Sequence, residues 1–318
     1  MLNLPFFDEL EKAQNILLAG AGGGFDIFSG LPLYFGLRAE GKQVHLANLS
    51  FSFLPPIQIT KQDRYSPSLL RVTADTPLFT DYFPEKFLAQ WFREQGEEVP
   101  VYCFERTGVK PLLASYKTLV ECLSLDTIIL VDGGTDSLMR GDEAGLGTPQ
   151  EDISSIVSVN ELSIERKMLA CLGFGVDYFH GVCHAHFLEA VAEITRHRGY
   201  LGMFSLVDQM PEVQMYKKAT DFVFKSMPHE ISIVSSSIIS AIDGNYGDHH
   251  VTSRTRNSKL WINPLMPVYW CFQLSAVAER ILYRETMKGT DKYADVERVI
   301  WEFRESCHNI RPRQDIPV

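Results

Sequence analysis

Apolar positions fall into two patterns, short continuous runs and longer stretches with helical spacing. Ile16-Leu17-Leu18-Ala19 and Ile128-Ile129-Leu130-Val131 are runs of the kind that strands covered on both faces require. The pattern predicts a strand at 16–19, a helix from near Leu31 to just before Gly41, and a strand at 44–49. Helix 85–95, strand 99–104, helix 109–123 and strand 127–131 follow. Further on come strand 168–172, helix 185–197, strand 200–206, helix 213–225 and strand 231–235, with helices over 267–287 and 293–305. Pro32 suits a first helical turn and Gly41 a stop. In Thr148-Pro149-Gln150-Glu151, Thr148 reads as a helix cap and Glu151 as the partner that completes a capping box. Residues 50–79 hold Pro55-Pro56, Pro67 and Pro77 with little periodicity, and read as an irregular insertion, a candidate lid. Strands alternating with helices predict an α/β fold: a doubly wound, mostly parallel Rossmann-like sheet with helices on both faces and a helical C-terminal region. Neither a repeat nor a low-complexity linker divides residues 1–318, so a single domain is expected.

Composition narrows the class. Apolar residues are 45% and charged residues 22% of the 318, ordinary globular usage that supports a sizeable core. The 30 basic against 40 acidic residues give a net charge of −10, and no Lys/Arg run occurs, which argues against nucleic acid or an anionic membrane as partner. The six cysteines, Cys103, Cys122, Cys171, Cys183, Cys271 and Cys307, include no C-x-x-C pair, and Cys122 and Cys171 stand in apolar settings. They read as reduced, buried thiols of a cytoplasmic protein. No signal peptide is expected from an N-terminus bearing Asp8, Glu9 and Glu11, and no apolar stretch reaches the roughly 20 residues of a membrane span.

Candidate chemistry lies in the loops that follow strands. After the first strand comes Gly20-Ala21-Gly22-Gly23-Gly24-Phe25-Asp26, where glycines permit close backbone approach and N–H groups at a following helix start can bind phosphate. The dinucleotide pattern G-x-G-x-x-G is met at Gly20 and Gly22 but puts Phe25 at its third glycine, and the acid expected after the second strand is Asn48. A tight turn that packs helix on sheet is the structural alternative. After the strand at 127–131 comes Asp132-Gly133-Gly134-Thr135-Asp136, continuing to Asp142-Glu143. Carboxylates so spaced can hold Mg²⁺ or another divalent cation, bind ribose hydroxyls, or supply a general acid and base. Alternatively Asp132 and Asp136 cap turns and Asp142 and Glu143 are solvated.

Two further loops are candidates. Asp177, His180, His184 and His186 invite a transition-metal reading or a general acid–base reading, with His180 as the acting residue and Asp177 orienting it. In Asp243-Gly244-Asn245-Tyr246-Gly247-Asp248, Asn245 and Asp248 could complete a pocket, and Arg254 or Arg256 could bind phosphate. No G-x-S-x-G elbow and no P-loop motif is present, which removes nucleophilic-serine and P-loop chemistry from consideration.

Two resemblances follow from these motifs. Gly20-Ala21-Gly22 with Ser29-Gly30-Leu31-Pro32 resembles the NAD-binding loop of sirtuins, although Leu33-Tyr34-Phe35 stands where those proteins have Asp-Phe-Arg. The resemblance implies a nucleotide pocket, with NAD or another nucleotide as ligand. Gly22-Gly23-Gly24-Phe25-Asp26, Asp132 to Ser137, Gly173-Phe174-Gly175-Val176-Asp177 and Gly199-Tyr200-Leu201-Gly202, in this order, resemble the family catalogued as domain of unknown function 1152. That likeness covers nearly the whole chain and implies an intact α/β unit whose loops share one site.

The expectation is an enzyme, a transferase or hydrolase acting at a ribosyl or phosphoryl centre of a nucleotide, dinucleotide or sugar phosphate. Gly20, Gly22, Gly23, Gly24, Asp26, Asp132, Gly133, Gly134, Thr135 and Asn245 would bind the ligand. Asp136, His180 and Asp177 would carry the chemistry, with Asp132 and Asp136 able to hold a cation. A metal-dependent hydrolase with Asp and His ligands and a non-catalytic nucleotide sensor are the alternatives.

Overall fold

The computed structural model describes residues 3–256, 258 and 260–316. Its strands are β1 (Asn15–Gly20), β2 (Gln43–Leu49), β3 (Arg64–Ser66), β4 (Leu69–Val72), β5 (Val101–Phe104) and β6 (Thr127–Asp132). They continue with β7 (Arg166–Cys171), β8 (Tyr200–Ser205), β9 (Gly247–Asp248), β10 (Trp261–Ile262) and β11 (Val268–Gln273). Nine form one sheet in the order β3-β4-β5-β2-β1-β6-β7-β11-β8, and β9 pairs with β10 apart from it. The centre, β5-β2-β1-β6-β7, is parallel throughout. Of the remaining four, β4 and β11 run against this direction, so seven of the nine strands point the same way.

The two-residue period of each strand explains why the central runs are apolar without interruption. Leu17 and Ala19 of β1, Ile128 and Leu130 of β6, and Leu169 and Cys171 of β7 face one layer. There they meet helices Val109–Leu123, Pro149–Asn160, His184–Arg196 and Tyr293–Ser306. Ile16, Leu18, Ile129, Val131, Met168 and Ala170 face the other, against helices Pro5–Glu11, Leu31–Ala39, Pro84–Glu94 and Pro211–Ser226. Helices therefore cover both faces, as the doubly wound pattern predicts. No described helix is long and apolar enough to cross a membrane.

Chain order places the site. The parallel centre grows from β1 through β2 to β5 on one side, then returns to β6 and β7 on the other. The reversal falls between β1 and β6, and a crevice opens at such a point beyond the carboxyl ends of the strands. Both candidate loops leave the sheet there, since Gly20 pairs with Val131 in register and Ala21 N–H donates to Val131 O (2.8 Å).

Local structure departs from expectation at several places. Residues 231–235, read as a strand, lead into helix Ile233–Ile242. Ser232 Oγ accepts from Ser235 N–H at its start, and the hydroxyls of Ser236 and Ser237 donate back to Ile233 O, so the serines favour a helix that the Ile/Val content disguises. The stretch 267–287 is not one helix: Val268–Gln273 is a strand, its first five residues buried, and a helix follows only at Leu274–Ala278. The insertion at 50–79 contributes β4 to the sheet and pairs β3 beside it, with Leu69, Leu70 and Val72 in the core, so this half of it is sheet edge rather than lid. The capping box at Thr148 is not made; the Thr148 hydroxyl bonds Asp136 and Glu151 Oε1 accepts from Tyr293 OH (2.7 Å). Cys122, expected among buried thiols, is exposed.

Candidate functional site

The loops after β1, β6 and β7 meet in a crevice of about 410 Å³. Gly22, Gly23, Gly24 and Asp26 come from the first, Asp132, Gly133, Gly134 and Asp136 from the second, and Asp177 and His180 from the third. Asp152, on the first turns of helix Pro149–Asn160, closes the floor. Phe51 and Tyr82 form an aromatic wall, and Glu230, Ser232 and Arg254 line the crevice as well.

Asp26, Asp132 and Asp152 each offer an oxygen within 4.8 Å of the others. Donors around one Mg²⁺ stand about 3 to 4.2 Å apart at bonds of about 2.1 Å, so these oxygens are near the spacing that a shared cation takes. Asp26 is held by both loops: Gly22 N–H of its own donates to Oδ2 (2.6 Å) and Gly133 N–H of the second to Oδ1 (3.2 Å). Ser137 N–H donates to Asp132 Oδ2 (3.4 Å). Asp152 is 2% exposed, and its Oδ1 is buried without a hydrogen-bond partner among the described residues. A buried carboxylate oxygen left without a donor is costly unless something positive meets it.

Beside the triad, Asp136 Oδ2 accepts from Thr148 N–H (2.8 Å) and hydroxyl (3.3 Å), and Asp177 Oδ2 accepts from Thr135 N–H (2.7 Å). Asp177 thus braces the Thr135 turn and is not hydrogen-bonded to His180, contrary to the expected orienting pair. Six carboxylates line the crevice against Arg254 and His180 as its basic groups among the described residues. Burial is the main reason the five aspartates are driven toward their protonated forms, with mutual repulsion added. Asp26 is pushed up to about 8, and Asp132, Asp152 and Asp177 are raised strongly. Asp136 is raised by burial as well, although hydrogen bonds from Thr148 and the nearby His180 offset part of the rise.

This crowding explains the glycines. A Cβ at Gly22 would stand 2.8 Å from both Asp152 oxygens and from Asp26 Oδ2, and one at Gly134 would stand 2.7 Å from Asp177 Oδ2. Gly23 and Gly24 also need positive φ, +86° and +59°. Asn48, where a dinucleotide fold would carry an acid, donates from Nδ2 to Gly24 O (2.8 Å) and to Glu85 Oε1 (2.9 Å), and so props the loop from behind.

Other predicted positions lie elsewhere. Gly20 and Thr135 support the loops without lining the crevice. Asn245 is exposed beyond the C-terminal end of helix Ile233–Ile242, bonded to Ser240 O, while the opposite end of that helix meets the crevice. Asp248 belongs to the β9–β10 hairpin, and Arg256 does not line the crevice. His184 stacks between Phe174 and Tyr178, and His186 is buried; neither joins His180 in the crevice. Asp142 and Glu143 pair with Arg140 and Arg311 outside it. Asp152, Phe51, Tyr82 and Glu230 were not anticipated. Asp152 left one trace, a second acid beside Glu151 in a helix whose Ser154, Ser155 and Ser158 are also buried.

The family model described as Protein of unknown function (DUF1152) matches residues 17–305. No curated protein and no solved structure matches the chain.

Proposed function

We propose that this chain, which belongs to the DUF1152 family, is a divalent-cation-dependent enzyme that hydrolyses or transfers a group at a phosphoryl or ribosyl centre of a nucleotide or sugar phosphate. The observation that carries the reading is the Asp26–Asp132–Asp152 triad with its partnerless, buried Asp152 oxygen. Carboxylate oxygens are the donors that Mg²⁺ and Mn²⁺ take, and a cation bound there would polarise a phosphoryl oxygen or lower the pKa of water.

The rest of the crevice suits an anionic ligand once its floor is neutralised. Arg254, His180 and the helix start at Ser232–Val234 supply positive or donor character, and Phe51 and Tyr82 offer ring faces to a base or sugar. Gly22 N–H already serves Asp26, so phosphate is held mainly through the cation and the facing wall rather than by that amide. Asp136 and His180 both line the crevice, where the carboxyl group and the imidazole would serve as the proton-transfer pair.

Metal-stripped protein titrated with Mn²⁺, followed by calorimetry and by the loss of free Mn²⁺ signal in electron paramagnetic resonance, tests the reading. Binding near one ion per chain that Asp152→Asn removes is expected, with phosphate release from some member of a nucleotide and sugar-phosphate panel only when the ion is present. Absence of saturable binding at millimolar Mn²⁺ overturns it.

A further inference from the structure

We propose that the segment Arg311–Gln314 is a strap whose residue Arg311 positions the cation site from outside the crevice. The proposal rests on the cation reading above. One guanidinium joins two segments through three carboxylates: Arg311 Nε donates to Asp142 Oδ1 (2.8 Å), Nη2 to Glu143 Oε1 (2.9 Å), and Nη1 to Glu189 on helix His184–Arg196. The Arg311 backbone adds its N–H to Asp142 O (2.7 Å). Glu143 is 0% exposed and also accepts the N–H groups of Arg140 and Gly141, so Arg311 is the cation that meets a fully buried carboxylate.

The strap then follows the other site loop. Gln314 N–H donates to Cys183 Sγ (3.4 Å), whose thiol donates to Gln314 O (2.9 Å). The Arg313 guanidinium lies 4.2 Å from the centre of the Tyr178 ring, which stands beside Asp177 and two residues before His180.

What Arg311 holds leads directly to the carboxylates. Residues 141–148 connect the turn carrying Asp136 to the helix carrying Asp152. Gly145 lies so close to Gly181 that a Cβ there would collide with its carbonyl, Gly147 packs on the Asp136 side chain, and Thr148 donates twice to Asp136 Oδ2. Loss of the Arg311 grip loosens that connection at its 142–143 end, leaving Arg304 on the carbonyls of Gly141 and Glu143 and Thr148 on Asp136. A structural ion pair would affect only melting, whereas a positioning residue affects ion affinity as well.

The test compares wild type, Arg311→Ala and Arg311→Lys as full-length chains, measuring Mn²⁺ affinity, amide hydrogen exchange and melting. In Arg311→Ala, Mn²⁺ affinity should weaken by about 10- to 100-fold, the range seen when supports behind metal ligands are removed. Amides of 141–148 and 176–183 should exchange faster, with the central strands unchanged. Lys keeps the charge but not the fork, so it should recover part of the affinity; it also serves as the reading if Ala does not fold. Unchanged exchange in both loops overturns the strap whatever the ion does. Faster exchange with unchanged Mn²⁺ affinity reduces Arg311 to a structural residue and overturns the positioning role. No binding even in wild type overturns the cation reading instead, and with it the route from strap to site.

Discussion

Two acidic clusters stand a few residues apart in the chain and have opposite electrostatic settings. In the crevice, Asp26, Asp132 and Asp152 converge with Asp136 and Asp177 beside them, and burial raises all five. At the next bend, burial alone would raise Asp142, but the Arg140 and Arg311 guanidinia outweigh it and hold its carboxyl below the usual carboxylate range. Glu143 is met by Arg311 in the same network. In the second cluster each carboxylate meets a guanidinium. In the first, backbone and hydroxyl donors reach the carboxylates but no ion pair does among the described residues. Charge compensation, not acid count, separates the two clusters.

The largest effects should come from exchanging these roles. Asp152→Asn should weaken Mn²⁺ binding by at least about 100-fold, because it removes a ligand carboxylate itself, beyond the roughly 10- to 100-fold loss from disturbing a support. Metal-free protein should melt no lower, since a repelling buried acid is gone. Glu143→Ala should do the reverse in stability: Arg311 keeps Asp142 and Glu189, but the N–H groups of Arg140 and Gly141 lose their acceptor, at a cost of about 1–3 kcal/mol. Calorimetric melting and Mn²⁺ titration on the two variants check both arms. A metal-free Asp152→Asn protein that melts far below wild type would make Asp152 a structural residue and erase the contrast.

The same contrast has a pH signature. The crevice aspartates have folded-state pKa values above their unfolded ones, so the folded state binds more protons and their contribution is fully present below about pH 4. It is lost as pH rises through about 8 for Asp26, and as it rises through the raised values of the others. Asp142 has the opposite sign: its lowered pKa gives stability that is present above about 4 and lost only in acid. In chelator, melting temperature should therefore fall from pH 5 to pH 9, and Mg²⁺ or Mn²⁺ should flatten the fall by favouring ionised carboxylates. A flat or rising profile in chelator would contradict the uncompensated cluster.

These differences mark what was legible in the chain. β1 and β6 declare themselves because a strand covered on both faces must be apolar at every position, and the glycines and Asp132, Asp136 and Asp177 follow such strands directly. β11 was hidden because Val-Tyr-Trp-Cys-Phe-Gln runs into the helical Leu-Ser-Ala-Val-Ala without a glycine or proline between them. Asp152 was hidden because Thr148-Pro149-Gln150-Glu151 satisfies a local capping rule, whereas the tertiary fold gives Thr148 to Asp136 and Glu151 to Tyr293. Arg311 leaves no local trace at all, since its partner Asp142 is 169 residues away. Asp142 and Glu143 looked continuous with Asp132 and Asp136 for the same reason: adjacency in sequence does not show which acids have a cation.

Glycine substitution sharpens the comparison at smaller scale. Gly22→Ala places a methyl where both Asp152 oxygens and Asp26 Oδ2 lie within 2.8 Å, so the carboxylates must part. Mn²⁺ affinity should fall about 10- to 100-fold while the fold survives, because Gly22 is not held at positive φ. Equal affinity in this variant would mean that the triad can spread without loss, and that its spacing does not define the ion.

The smallest effect belongs to Asn245, which the chain offers as a pocket residue and the fold places away from the crevice. It is exposed, and its amide donates to Ser240 O (3.2 Å) at the C-terminal end of helix Ile233–Ile242. The backbone N–H of Asn245 bonds the same carbonyl (3.0 Å), so Ser240 O keeps a partner when the side chain is removed. Asn245→Ala should accordingly change stability by no more than about 0.5 kcal/mol, the usual range for surface substitutions. It should also leave Mn²⁺ affinity at the wild-type value, since no buried carboxylate loses or gains a neighbour. Melting and titration on this one variant suffice. A clear loss of ion or nucleotide binding would show that the glycine-bearing loop at 243–248 reaches the ligand, and would extend the site beyond the three loops that meet at the β1–β6 reversal.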